Sequence, residues 1–94
     1  MRYDLECRYD TRASFYGKAK VLEQTMSDWK EIDLYSYGTL VAKIIETKKH
    51  KKYIYEGKYS QTTTRHQKEF FRQNGLSDKE IKELFDKGVL RYEL

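Results

Sequence analysis

The chain has 94 residues, with 19 Lys and Arg against 15 Asp and Glu, a formal charge of +4 and an aromatic fraction of 15% that includes nine tyrosines. That length holds one domain around one core, and the aromatic content excludes a disordered chain, which lacks the apolar surface to offset chain entropy. A lone cysteine excludes an internal disulfide, no apolar run approaches the roughly 18 residues of a membrane helix, and residues 1–6 lack a signal peptide's hydrophobic core. The expectation is a soluble protein of the cytoplasm, with no membrane contact.

Residues 2–9 alternate strictly, with Tyr3, Leu5, Cys7 and Tyr9 on one side and Arg2, Asp4, Glu6 and Arg8 on the other. This is the period of a half-buried strand. Asp10, Thr11 and Arg12 read as a turn, and alternation resumes from Ser14 to Leu22, so the two runs predict a hairpin. Gly17 and Ala19 mark a bulge or a point of close approach. Ser27 and Asp28 suit a cap for a short helical turn that sets Trp29 against the sheet. Ile32, Leu34 and Ser36 then alternate with Asp33, Tyr35 and Tyr37, and Gly38 breaks the run as a turn. Residues 40–45 are β-rich and apolar on both sides, as a central strand is. Residues 48–52 form a charged hairpin tip, and residues 53–59 return as a strand.

The last third changes to helical patterning. Thr64 and Gln67 have capping-box spacing, in competition with Ser60, Thr62 and Thr63 for the N-cap, and Asn74-Gly75 supplies the stop. The next helix has a Ser77/Glu80 capping box, a Leu76/Ile81 staple, Asp78 in its first turn, a buried stripe of Ile81, Leu84 and Phe85, and Gly88 as its end. Residues 89–94 return as a strand. The predicted architecture is a single α+β domain over residues 1–94. An antiparallel sheet of four to five strands (mainly residues 2–59) precedes two short capped helices (about 62–74 and 78–87) and a short C-terminal strand.

No reactive constellation accompanies this pattern. Cys7 with His50 or His66 contains a thiol and a base, but Cys7 lies on the apolar side of its strand, where a small buried hydrophobe is expected. Two histidines and a distant cysteine do not provide metal-ligand spacing. Asp4, Glu6 and Asp10 resemble a divalent-ion cluster only in charge, since Arg2 and Arg8 flank Asp4 and Glu6 on one strand face. No glycine-rich phosphate loop is present. The sequence therefore predicts no enzyme activity, no metal and no cofactor.

Two cationic features remain. Lys48, Lys49, Lys51 and Lys52 form a positive tip, read either as a finger for phosphates or as a solvated turn that blocks edge pairing. Arg65, Lys68 and Arg72 share one helix face by their i, i+3, i+7 spacing. With Tyr35, Tyr37, Tyr53 and Tyr55 they make either a stacking-and-charge surface for a single strand or structured RNA, or a protein interface; the tyrosines alternatively cover the sheet under the helices.

Leu34-Tyr35-Ser36-Tyr37-Gly38-Thr39-Leu40-Val41-Ala42, followed by Tyr59-Ser60-Gln61-Thr62-Thr63-Thr64-Arg65-His66-Gln67-Lys68-Glu69-Phe70-Phe71-Arg72-Gln73-Asn74-Gly75, resembles a family of uncharacterised small domains. These are carried by phages, prophages and plasmids of Gram-positive bacteria, with the patterns YSYxTxVA and YSxTTxRHxxEFxxQxG. The resemblance covers the middle and later half of the chain. It implies a mobile-element accessory protein that acts in a bacterial host by stoichiometric binding. The expected function is inhibition of a host protein or ribonucleoprotein machine, such as an anti-CRISPR blocking a Cas nuclease. The alternative is a direct DNA- or RNA-binding accessory protein. Monomer and homodimer are both compatible with so small a sheet. In the second motif, Arg65-His66 is expected to act as a structural lock. Arg65 pairs with a carboxylate or carbonyl, and His66 bonds to the preceding turn.

Overall fold

A computed structural model describes residues 1–94. Its elements in chain order are β1 (Arg2–Asp4), β2 (Ala19–Thr25), β3 (Trp29–Ser36), β4 (Thr39–Thr47), β5 (His50–Tyr55), α1 (Gln61–Gln73), α2 (Asp78–Lys87) and β6 (Val89–Glu93). The strands form one antiparallel sheet in the order β1-β2-β3-β4-β5-β6. This is the expected α+β class, with the two helices inserted before the last strand. No helix is long and apolar enough to cross a membrane.

Cross-strand partners share a face, so the register identifies the two sides of the sheet. The rows Val21–Leu34–Ala42 and Ile32–Ile44–Tyr53–Leu90 face the helices. They form one core with Phe70 and Phe71 of α1 and Ile81 and Leu84 of α2. The opposite face carries the row Leu22–Asp33–Lys43–Ile54–Val89, and neither helix packs on it.

Before α1, three expectations change. The strand expected over residues 2–9 stops at Asp4, and the second starts at Ala19 rather than Ser14. The two still pair, through Arg2–Leu22 and Asp4–Lys20, but residues 5–18 leave the sheet. Leu5 and Phe15 enter the core at the two ends of this loop. In between, the backbone N–H groups of Tyr9 and Asp10 donate to Glu69 Oε1 on α1, at 2.9 and 2.8 Å. A buried carboxylate on a neighbouring helix, rather than a ladder, thus satisfies these donors. Second, Ser27 and Asp28 form the β2–β3 turn, not a helical cap. Trp29 begins β3 and remains 37% exposed. Third, β5 ends at Tyr55, and residues 56–60 lead into α1.

The α1 N-cap is Ser60, whose side chain accepts from Thr63 N at 3.1 Å. The Thr64/Gln67 box does not form, because Gln67 is fully buried and faces the sheet. Its Nε2 donates to the carbonyls of Val41 and Gly57, both at 3.0 Å. A shift in the β3–β4 register opposite Leu34 and Tyr35 leaves Val41 as an extra residue on β4. The Val41 carbonyl accepts from Glu56 N at 3.2 Å as well as from Gln67, so the side chain ties α1 to the bulged strand where the β4–β5 pairing ends. In α2 the Ser77/Glu80 capping box is present, Asp78 lies in the first turn and Gly88 is left-handed at φ +83°, while of the expected stripe Ile81 and Leu84 are buried and Phe85 is partly buried.

Candidate macromolecule-binding surface

The i, i+3, i+7 spacing brings Arg65, Lys68 and Arg72 onto the side of α1 away from the sheet, as expected. With Tyr9, Asp10, Gln61, Thr64 and Glu69 they line a cavity of about 330 Å³ under the 9–12 loop. Glu69 is only 2% exposed and forms the floor. It accepts from the two loop amides and from Gln73 Nε2. Arg65 reaches Asp10 at 3.2 Å, the carboxylate pairing expected for it. Arg72 pairs with Asp78 and lies over the Tyr9 ring, 5.5 Å from its centroid. Lys68 has no carboxylate partner. Two of the three cations are thus partly neutralised, and Lys68 carries the free charge of the cavity.

His66 is 1% exposed and acts as a hub rather than a lock on its own turn. Its Nδ1 is 2.8 Å from Ser36 Oγ, which is 2.9 Å from Thr63 Oγ1. The bond therefore runs to β3 and not, as expected, to the residues before α1. The helix face that carries Phe70 into the core also turns His66 onto the sheet. Burial pushes the imidazole pKa down, so the ring is held neutral. A Ser36 hydroxyl that donates to Nδ1 is then left to accept from Thr63. Phe15 packs edge-on to the imidazole at 4.5 Å, and Tyr37 stacks on it at 5.8 Å and 30°. Ser36 is 2% exposed, so this serine–histidine pair has no side open to a substrate. Cys7 packs against the core, and burial raises its thiol pKa.

The expected lysine tip divides. Lys48 and Lys49 occupy the β4–β5 turn, where Thr47 Oγ1 accepts from the amides of Lys49 and His50. Lys51 and Lys52 lie on β5 itself and so point to opposite faces, Lys51 pairing with Glu46 at 3.7 Å. The tyrosines divide as well. Tyr53 is buried, with its hydroxyl donating to Asn74 O at 3.2 Å, and Tyr55 stacks on Phe85 at 4.2 Å, so both cover the sheet under the helices. Tyr35 is half-buried on the uncovered face. Tyr37 alone of the four is well exposed, in the β3–β4 turn.

The predicted residues do not form one site. Successive turns of an antiparallel meander alternate between the two ends of the sheet. The β3–β4 turn with Tyr37 and the β4–β5 turn with Lys48 and Lys49 are therefore separated by β4, about 27 Å for its nine residues. The α1 cavity and Tyr37 belong to the α1 side of the molecule, and the lysine turn to the far end.

Three residues escaped the sequence reading. Glu69 was hidden because its partners are backbone amides about 60 residues away. Tyr16, at φ +53° and 77% exposed, was placed inside a strand, although the Tyr-Gly step that repeats at Tyr37-Gly38 was a usable turn signal. Asp33 is 4% exposed on the uncovered face, between Leu22 and Lys43, and its Oδ1 has no hydrogen-bond partner. Burial raises its carboxyl pKa to about 6, reinforced by Glu31, which itself pairs with Lys43 at 3.4 Å.

The model of a family of unknown function (DUF8033) matches residues 3–87, extending both ways beyond the motif-bearing segment. No curated protein and no solved structure matches the chain. With nearly its whole length covered, the chain belongs to the DUF8033 family.

Proposed function

We propose that this protein is non-catalytic and binds a nucleoprotein machine of a host cell, of the class that a CRISPR nuclease represents, inhibiting it by occupancy. The observation that carries the reading is the distribution of unpaired cations. Nine of the Lys and Arg side chains are in ion pairs. The others are not: they include Arg12, Lys18, Lys58 and Lys68 on the α1 side and Lys48 and Lys49 at the far end, with Arg2, Lys52, Lys79 and Lys82 elsewhere. Free cations at both ends suit a target whose nucleic-acid channel or acidic groove is longer than one contact. The mobile-element context implied by the resemblance favours an inhibitor.

The test is a sizing column loaded with the protein and a purified, guide-loaded effector nuclease. Co-elution together with loss of target cleavage supports the reading. Separate elution from every effector offered, with cleavage unimpaired, rejects inhibition of this class. A second reading, direct binding of DNA or RNA, is favoured by the same free cations. Submicromolar binding to naked nucleic acid with a steep salt dependence would select it.

A further inference from the structure

Two residues other than glycine have positive φ in this chain, and both are tyrosines followed by glycine: Tyr16 (φ +53°) with Gly17 (φ +72°), and Tyr37 (φ +52°) with Gly38 (φ +82°). Positive φ at both central positions is the two-residue hairpin geometry in which Asn or Gly is the unstrained choice. A bulky aromatic there costs backbone energy, and such strain concentrates where a side chain is needed for something other than folding.

The two turns are neighbours. Tyr37 N donates to Lys18 O at 2.8 Å, and Lys18 N closes its own turn on Phe15 O at 3.0 Å. His66 aligns them, because the residue preceding each tyrosine touches the imidazole: Phe15 at 4.5 Å between rings and Ser36 at 2.8 Å. The Tyr37 ring lies against His66 on one side and is still 57% exposed, so its other side faces solvent. Tyr16 is 77% exposed. Arg12 and Lys18 stand nearby without carboxylate partners, and the first turn of α1 has no acidic residue.

We infer that these paired Tyr-Gly turns form a stacking platform for unpaired bases of single-stranded nucleic acid. The inference rests on the reading above that the target contains nucleic acid, and names the part of it that is touched. Stacking on tyrosine needs only a base's π-face, and adjacent cations track the phosphates. A protein hot spot, by contrast, is ringed by contacts that exclude water. The residues next to the two tyrosines in sequence that reach the surface, Ser14, Gly17, Gly38 and Thr39, supply no apolar rim, and the Lys20–Asp4 ion pair stands beside Gly17.

The experiment is a fluorescence-anisotropy titration at low and moderate salt. Its probes are labelled oligothymidine and an abasic strand of equal length. Wild type should bind oligothymidine more tightly than the abasic strand. Tyr16→Ala should weaken oligothymidine binding about tenfold, and Tyr16→Phe should retain it. Because Tyr16 is exposed, an unchanged thermal melt certifies that the Ala variant is folded. No oligothymidine binding by wild type, equal binding of the abasic strand, or a Tyr16→Ala variant as tight as wild type overturns the platform. Co-elution of wild type with the effector nuclease is read separately. The broader reading can therefore survive loss of the platform, and the platform can survive loss of the inhibitor reading.

Discussion

Replacing Asp33 by Asn should make this protein more stable at neutral and alkaline pH, although it deletes a charge near a lysine. Asp33 is 4% exposed, its Oδ1 has no partner, and Lys43, its cross-strand neighbour, is already paired with Glu31. Its carboxyl titrates at about 6 in the folded chain, against about 3.9 when unfolded. A raised carboxyl pKa means that the native state holds the proton longer than the unfolded state. Stability therefore falls as pH rises from about 4 to 6, and the full penalty applies above that range. A rise of roughly two units corresponds to about 3 kcal/mol. Relaxation of the carboxylate on the uncovered face of the sheet relieves part of this cost, which leaves about 1–3 kcal/mol. Asn keeps the shape, carries no charge, and can donate to the Glu31 carboxylate. Thermal melts followed by circular dichroism at pH 4, 6 and 8 test this. The expected gain is at least about 5 °C at pH 8, with no difference at pH 4, where Asp33 is protonated. A Tm at pH 8 below that of wild type would refute the reasoning, and would mean that the Asp33 charge is compensated.

Glu69→Ala should cost about 1–3 kcal/mol in chemical denaturation, since it leaves the part-buried Tyr9 and Asp10 amides without their acceptor; hydrogen exchange at those two amides should accelerate well before global unfolding. His66→Ala should cost a similar amount through the lost Ser36 bond and the cavity between Phe15 and Tyr37. Because burial depresses the folded imidazole pKa, the unfolded state takes up its proton first, and wild-type stability contributed by His66 should fall below about pH 6.5. Denaturation curves at pH 7 and 5.5 should therefore lie closer together in the variant than in wild type. Lys48→Ser with Lys49→Ser should leave the thermal melt within about 0.5 kcal/mol of wild type. It should also weaken target binding more at low salt than at high salt; equal affinity at low salt would remove the β4–β5 turn from the contact.

Local sequence determined the elements whose causes are local. The α2 helix could be read to the residue because Ser77, Glu80 and Gly88 act within a turn of their own backbone. The Tyr37-Gly38 turn and the central, two-sided β4 were equally legible, since period and turn chemistry need no distant partner. The side of α1 that carries Arg65, Lys68 and Arg72 followed from helical spacing alone. Tertiary contact decided the rest. The alternation over residues 5–18 matches a strand, but Glu69 offers those amides a buried acceptor and draws the segment out of the sheet. Gln67 has capping-box spacing, but the carbonyls of Val41 and Gly57, brought beneath α1 by the sheet, capture it. Lys48 to Lys52 read as one cluster until strand geometry turned Lys51 and Lys52 to opposite faces. Side-chain period is a property of a short stretch of chain. Which donor meets which acceptor, and which charges share an end of the sheet, depends on residues tens of positions apart, and packing alone brings those together.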